Sequence, residues 1–318
     1  MSVLLDIRDL KTHFRLGPRQ TVHAVDGITL AIERNQIVGL VGESGSGKST
    51  LGKTVAGLLP RTSGEIRYDG KPLPQRYSVA DFRRYSREIQ MIFQDPYASL
   101  NPRMTVEEII GEGLRLQPGA TPRDHRAQVA QWLERVGLSA DHMMRYPHEF
   151  SGGQRQRLGI ARALIVKPKF VVCDEPISAL DVSVQAQIVN LLGELQATLG
   201  LTLLFIAHDL SMVRYISDRM VVMYLGALVE EGPADQVYFE PRHPYTRLLV
   251  ASNPEPDPRI EKARVHEPIV GDIPSPINVP AGCRFAGRCP DVMARCRIET
   301  PGYRSREAGR MIACHLYD

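Results

Sequence analysis

The stretch GESGSGKST (residues 42–50) places glycines, a lysine and two hydroxyl residues at the spacing G-x-x-x-x-G-K-[ST]. It lies between an apolar run, IVGLV (37–41), and the helix-like KSTLGKTVAGLL. That context reads as a phosphate-binding loop; the bland alternative is a glycine-rich turn. The chemistry follows from the residue types. Gly42, Gly45 and Gly47 let backbone N–H groups close around phosphate oxygens at a helix N-terminus, with Glu43, Ser44 and Ser46 completing the loop. Lys48 is expected to reach the β- and γ-phosphates and Ser49 to ligate magnesium, while Thr50 adds a hydroxyl close by. A second stretch, FVVCDEP (170–176), ends an apolar run in two carboxylates. Asp174 is placed to hold magnesium, and Glu175 to polarise an attacking water as general base. Its bland alternative is a solvated strand end. Together the two stretches imply a nucleoside triphosphatase.

These groups need a scaffold, and the apolar pattern describes one. IQMIF (89–93), FVVC (170–173) and LTLLFIA (201–207) read as further core strands. Between the last two, Ile188, Leu191, Leu192, Leu195 and Leu199 recur at helical spacing, with Ser183 as the expected N-cap. Such alternation predicts a mostly parallel α/β sheet. From about 101 to 165 the segments TVEEIIGEGLRL, RAQVAQWLERVGL and QRQRLGIARALI are all helical in period, which predicts an all-helical insertion. VVMYLGALVEEG (221–232) predicts a hairpin around Gly226, and DQVYF to LLVAS a final amphipathic segment.

The chain has 318 residues, 43% apolar and 24% charged, an ordinary globular composition with room for a sizeable core. A net charge of +3 gives no argument for nucleic acid. Asp6 and Arg8 interrupt what a signal peptide would need, and the apolar runs fall far short of the ~20 residues of a membrane span. A cytosolic chain, or one held at a membrane by other subunits, is the expectation.

FSGGQRQR (150–157) narrows the class, because it resembles the signature motif of ABC-type ATPases. Gln94, after the IQMIF strand, resembles the Q-loop glutamine; SALD (178–181) resembles the D-loop, with Asp181; His208 resembles the switch histidine. The resemblance covers roughly residues 3–250. It implies two such subunits meeting head to tail, each ATP closed between one phosphate loop and the partner's signature motif. Ser151, Gly152, Gly153 and Gln154 would then act on ATP held by the other chain. His208 would contact the γ-phosphate, and Gln94 would join the magnesium site to the membrane subunits. Two departures stand out. Phe150 replaces the commoner leucine, at a position expected to pack rather than touch phosphate. The adenine-stacking aromatic has no clear place; Phe14 and His23 are candidates, with a core Phe and a solvated His as the plain readings.

YPHEFSGGQRQR, DEPISALDVSVQAQI, HPYTRLLVASNP and PSPINVPAGCRFAGRCP together resemble the ATP-binding subunits of bacterial dipeptide/oligopeptide importers. Gln154 makes the likeness greatest to the second of their two paired subunits. Nickel, glutathione and murein-peptide importers share much of this pattern. The resemblance implies an ATPase of the translocase class, with ATP and Mg2+. Its partners would be a second ATPase subunit (a sister chain or an identical one), two transmembrane permeases and, indirectly, a substrate-binding protein. Its place would be peripheral, at the cytoplasmic face of the inner or plasma membrane. ABC-type ATPases of DNA repair or translation are the rival class, but they carry long coiled coils or two cassettes, and this chain has neither. A metal-cluster regulator with a remnant nucleotide site is a third class, opposed by the intact Glu175 and His208.

The expected organisation is an ATP-binding domain at 1–252, its helical part at about 101–165, and a C-terminal extension at 253–318. Seven prolines in residues 253–280 read as an extended arm. Cys283, Cys289, Cys296 and Cys314 follow, separated by 5, 6 and 17 residues without the C-x-x-C knuckles usual for zinc. A 4Fe–4S cluster tolerates such loops, and Cys289-Pro290 resembles the Cys-Pro step of cluster motifs. Some members of the peptide-importer family carry such a cluster. Structural zinc and free or disulfide-linked thiols are the alternatives. Arg284, Arg288, Arg295 and Arg297 are expected to surround the thiolates and offset their charge. Cys173, on a core strand, is expected to pack.

Overall fold

The computed structural model describes residues 2–116, 122–178, 180–253, 274–307 and 309–318. They form two compact units: residues 1–33, 37–75 and 207–318 make the first, and residues 34–36 and 76–206 the second. The proline-rich arm expected after Ser252 falls largely on residues 254–273, outside the described residues.

The first unit opens with long strands β1 (Val3–Gly17) and β2 (Gln20–Glu33), then β3 (Ile37–Val41), helix α1 (Lys48–Val55), β4 (Ser63–Tyr68) and β5 (Lys71–Pro72). Strands β2, β1, β4 and β5 form an antiparallel sheet in that order. Leu5, Ile7, Leu10, Val25, Ile28, Leu30 and Ile32 are buried along its first two strands. This antiparallel sheet adds to the expected mostly parallel arrangement and corrects it to a mixed one. Register shifts between Ile7 and Leu10 and between Thr12 and His13 break the two-residue alternation, so the period that announces a half-buried strand is lost locally.

The unit's second ladder runs β11-β12-β10-β9-β3, with β9 at Arg219–Tyr224, β10 at Ala227–Pro233, β11 at Arg304–Glu307 and β12 at Arg310–Ile312. Strand β3 is buried at every position, as its unbroken apolar run requires, and pairs parallel with β9. The β9–β10 hairpin turns at Leu225 and Gly226, whose φ values of 43° and 81° suit a type I′ turn. The amphipathic stretch expected from DQVYF to LLVAS is two helices, one at Ala234–Phe239 and one at Pro244–Ala251. Pro241 and Pro244 lie between and at the start of them, where a continuous helix would lose backbone hydrogen bonds.

In the second unit three parallel strands are ordered β8-β7-β6, with β6 at Ile89–Ile92, β7 at Phe170–Asp174 and β8 at Thr202–Ile206. Helix α2 (Val79–Tyr85) precedes β6; between β6 and β7 the described residues hold short 3-10 turns, the helices α3 (Val106–Gly111), α4 (Pro122–Arg135) and α5 (Gly152–Leu164), and no strand. Val129, Trp132 and Leu133 of α4 are buried, as are Leu158, Ile160 and Ala161 of α5. Helix α6 (Val182–Leu199) buries Ile188, Leu191, Leu192 and Leu195. Its N-cap is Asp181, not the expected Ser183: the Asp181 carbonyl already accepts the Val184 and Gln185 N–H groups at 2.9 Å, which puts Ser183 inside the first turn.

The C-terminal residues of the first unit are built into its core rather than appended to it. Strand β12 pairs antiparallel with β10. Beside that pairing Arg310 and Glu230, 1% and 0% exposed, form an ion pair at 2.5 Å. Glu230 also accepts the N–H groups of Arg242 and His243, both at 2.9 Å. Arg310→Met would leave that carboxylate buried without its cation, so a loss of about 3–5 kcal/mol is expected. Thermal unfolding checks this, and adding Glu230→Gln should recover much of the lost stability.

Candidate nucleotide site

In the first unit the phosphate loop joins β3 to α1. Gly42, Gly45 and Gly47 all have positive φ, at 152°, 78° and 104°. For two of them the need for glycine is also steric. A Cβ at Gly42 would lie 2.1 Å from the Met223 carbonyl oxygen, and one at Gly47 1.9 Å from that of Ala24. At Gly45 nothing lies within 4 Å of a Cβ position, so this side of the loop is open to a ligand. Lys48 is 4% exposed, and its Nζ donates to the carbonyls of Gly42 at 2.7 Å and Glu43 at 2.9 Å. Ser49 and Thr50 are half-buried in the first turn of α1, and Ser44 is exposed at the loop's crest. Ser46 is buried; its carbonyl accepts the Gly226 N–H at 2.9 Å, which seats the loop on the tip of the β9–β10 hairpin.

His208, also in this unit, is exposed between β8 and the helix at Leu210–Ile216. The next residue, Asp209, caps that helix by accepting the Met212 N–H at 3.0 Å. On the β1–β2 hairpin Phe14 is 37% exposed, not a core side chain. His23 is half-buried with its ring 4.3 Å from that of His13, not simply solvated.

In the second unit β7 ends at Asp174, which is 2% exposed. Glu175 follows with φ of 46°. A non-glycine residue in the left-handed region carries backbone strain, which concentrates at functional positions. The Glu175 N–H is tied to the Ile206 carbonyl at 2.9 Å, so the strained turn is held by the neighbouring strand. Gln94, just past β6, donates from Nε2 to Glu175 Oε2 at 2.9 Å. The structure thus joins two expected site residues 81 positions apart in the chain. Cys173 is wholly buried, and burial pushes its thiol up to about 12; it is a packing residue, as expected.

Ser151 caps α5. Its Oγ accepts the Gln154 N–H at 3.3 Å while Gln154 Oε1 accepts the Ser151 N–H at 3.0 Å, a closed capping box. Gln154 therefore serves the helix start through its side chain. Gly152 and Gly153 form the first turn, partly exposed, with their backbone N–H groups at the positive end of a 13-residue helix. Arg155 lies over the exposed Tyr97 ring at 4.0 Å. Phe150 is 4% exposed and meets His142 edge-on, so it packs as expected. Asp181, the N-cap of α6, is exposed.

The first unit also gathers the four late cysteines, all as free thiols. The Cys283 N–H donates to the Cys296 carbonyl at 2.7 Å. Burial is the main cause raising the Cys283, Cys289 and Cys314 thiols, Cys289 to about 11. Neighbouring thiols add to it: Cys296 acts on Cys283, Cys283 and Cys314 on Cys289, and Cys283 and Cys296 on Cys314. Among the described residues only His13, His23 and Asp26 bring three ligand atoms within 4.8 Å of one another. The cysteine sulfurs are near neighbours, but no three are that close.

The arginines of this segment turn to carboxylates more than to the thiols they are expected to surround, although Arg295 also interacts with the Cys296 charge. Arg284 pairs with Asp26 at 2.6 Å and with the Leu225 carbonyl, and Arg295 pairs with Glu299 at 2.7 Å. Arg288 grips Glu43 of the phosphate loop with both terminal nitrogens, at 2.7 and 2.8 Å. Arg297 is exposed. Each of the three paired guanidiniums finds a carboxylate instead. Residue type and proximity in sequence cannot reveal that choice.

Tyr245, which the sequence motifs do not mark as a site residue, is a loop contact. Its hydroxyl accepts the Glu43 N–H at 2.8 Å. The visible signal was the HPY triplet at 243–245. His243 is buried and kept neutral, its titration lowered to about 3 by burial, and its Nδ1 accepts the Tyr245 N–H at 3.0 Å. Pro244 then starts the helix that carries Tyr245.

Comparison with known proteins agrees with this arrangement. The ABC transporter family profile matches residues 25–178, and that of the oligopeptide/dipeptide transporter C-terminal region matches residues 229–296. The putative oligopeptide transport ATP-binding protein YkfD of Bacillus subtilis is 53% identical, over 99% of this chain and 95% of its own length. The oligopeptide transport ATP-binding protein OppF of Escherichia coli is 51% identical, over 94% of this chain and 92% of its own. Among solved structures, cbiO1 from Clostridium perfringens, part of the ABC transporter complex cbiONQ, is similar with a TM-score of 0.67 at 30% identity, covering 76% of this chain and 92% of its own. The ATP-binding cassette MJ0796, as a post-hydrolysis dimer bound to ADP and Pi, gives a TM-score of 0.67 at 25% identity, over 73% of this chain and 99% of its own. Identity near one half along almost the whole chain leaves one assignment: this protein belongs to the ABC transporter ATP-binding family, in the group that carries the oligopeptide/dipeptide transporter C-terminal region.

Proposed function

We propose that this chain hydrolyses ATP to energise the import of dipeptides, oligopeptides or a related solute through membrane permease partners. The observation that carries this reading is the likeness to oligopeptide transport ATP-binding proteins over nearly the full length, C-terminal region included. Among the described residues no helix is long and apolar enough to cross a membrane. The chain is assigned a peripheral place at the cytoplasmic face, beside two permeases, with a substrate-binding protein delivering the solute to them. The working division is an ATP-binding domain at 1–252, helical at about 101–165, and an extension at 253–318.

The roles follow the residue chemistry. Gly42, Gly45 and Gly47 leave backbone free to wrap phosphate, and Lys48 supplies the cation beside it. Ser49 and Asp174 are oxygen ligands suited to Mg2+, with Gln94 a third. Magnesium, when bound, neutralises phosphate charge. Glu175, held by the Ile206 carbonyl and by Gln94, is the general base, and His208 supports the water's approach. Ser151, Gly152 and Gly153 present a helix N-terminus to the nucleotide of a partner ATPase, a sister chain in this reading, with Gln154 holding that turn in shape and Asp181 at the contact between subunits. Glu175→Gln should bind Mg-ATP and lose turnover by a factor of about 100 or more. Lys48→Ala should fail at binding itself. Steady-state hydrolysis and nucleotide affinity of the assembled transporter separate the two; wild-type turnover in Glu175→Gln would refute the base.

Because the signature residues serve a partner's nucleotide, the isolated chain should be a poor ATPase. Hydrolysis measured against protein concentration, with and without the permeases, checks this. Full transporter rate from a strict monomer is the contrary result.

Cys283, Cys289, Cys296 and Cys314 are proposed to hold a 4Fe–4S cluster. Their spacing of 5, 6 and 17 residues lacks the C-x-x-C knuckles usual for zinc, and Pro290 follows Cys289 as in the Cys-Pro step of cluster motifs. The cluster would supply a structural crosslink, since ATP hydrolysis needs no redox step. Protein purified without oxygen should contain iron and acid-labile sulfide near four each per chain, and stoichiometric zinc without iron would overturn the assignment.

A further inference from the structure

Every polar group of Glu43 is engaged. Its carbonyl accepts Lys48 Nζ at 2.9 Å and the Ser46 N–H at 3.2 Å, both within the phosphate loop. Its N–H goes to Tyr245, and its carboxylate receives both arms of Arg288 at 2.7 and 2.8 Å. The Arg288 side chain is 5% exposed and that of Glu43 19%. Arg288 also reaches the Tyr224 hydroxyl at 3.4 Å and lies beside the ring of Phe285. Phe285, 1% exposed, packs against both Tyr224 and Tyr245. The contact is thus a fitted one, reached from 245 residues further along the chain.

A carboxylate in a loop built to surround phosphate is an electrostatic problem. Its charge opposes the triphosphate's, and partial burial weakens the screening that water would provide. A bidentate guanidinium removes that opposition and fixes the side chain away from the ligand. We propose that Arg288, carried on the cysteine segment, is a positioning residue for ATP: it neutralises Glu43 and holds the phosphate loop in its binding shape. Tyr245 completes the hold on the same residue through the backbone. This inference rests on the reading that loop 42–50 binds ATP. Its consequence is that the extension acts on nucleotide affinity through a charge, not merely through the stability of the fold.

The test is the ATP dependence of hydrolysis in the assembled transporter, with equilibrium Mg-ATP binding to the full-length chain. Arg288→Gln should raise KM for ATP and weaken binding about tenfold, with kcat falling less than twofold, because one unpaired charge now faces the phosphates. Arg288→Lys keeps the charge but not the fork and should fall between. Adding Glu43→Gln to Arg288→Gln should restore most of the affinity, since the opposing carboxylate is gone. A purely structural role predicts the reverse, with the double variant as weak as Arg288→Gln or weaker, and that result overturns the proposal. So does wild-type affinity in Arg288→Gln. If Arg288→Gln does not fold, the double variant and Arg288→Lys carry the test. Binding at wild-type strength by the double variant and more weakly by Arg288→Lys supports the proposal, and equal loss in both refutes it. Lys48→Ala separates the two readings: unimpaired binding there removes the ATP assignment of the loop, and this inference with it. Lost binding there with unchanged Arg288 variants removes only this inference.

Discussion

The backbone of residues 42–47 bends through conformations that only glycine holds easily, and it presses against the carbonyls of Met223 and Ala24. The first unit is organised around that contact. The loop can stand there only if β9 ends at the right height, and the type I′ turn at Leu225–Gly226 sets it. The Gly226 N–H then closes on Ser46. Helix α1 starts directly from the loop, so the positive end of its backbone dipole adjoins the open position at Gly45. An anion site made of backbone is only as good as the fixation of that backbone, and here both neighbouring strands supply it.

The second unit solves a different problem, the placing of the carboxylate proposed as general base. β7 is buried at all five positions and cannot turn toward solvent before Asp174. The chain leaves the strand through a left-handed residue, which is costly for glutamate, and the strain persists because Ile206 and Gln94 hold Glu175 from two sides. A carboxylate fixed in this way would, as a base, have less freedom to lose on the way to a reactive geometry. The capping box at Ser151 serves the same end for α5, where the serine proposed to face a partner's nucleotide also starts the helix.

The C-terminal segment ties these local arrangements to the rest of the chain. Its buried Arg310–Glu230 pair joins β12 to β10, and Arg284 and Arg288 reach the β9–β10 turn and the phosphate loop. Arg288, which in sequence looks like a counter-charge for a metal site, is an electrostatic partner of the nucleotide loop, and Arg284 holds the hairpin turn behind it. Cys283 and Cys289 flank the Arg284–Arg288 stretch, Cys314 follows Arg310, and the Cys283 N–H donates to the Cys296 carbonyl. Crosslinking the four thiols, as proposed, would stiffen the base on which Arg288 stands.

What could be read in the sequence was what depends on local spacing. The phosphate loop, the carboxylates after β7, the serine–glycine helix start and the buried parallel strands all show in windows of ten residues or fewer, because glycine φ values, helix caps and unbroken apolar runs are local constraints. Bulges hid the antiparallel sheet from the same reading by breaking its period. Only the tertiary structure decided which carboxylate each arginine would meet. Arg288 chose Glu43, far away in the chain, over the thiol next to it, and Gln94 found Glu175. Ion pairs and side-chain hydrogen bonds form between whatever the fold brings within about 3 Å. Sequence sets the charge of each partner but not the distance between them, and at that range the distance decides.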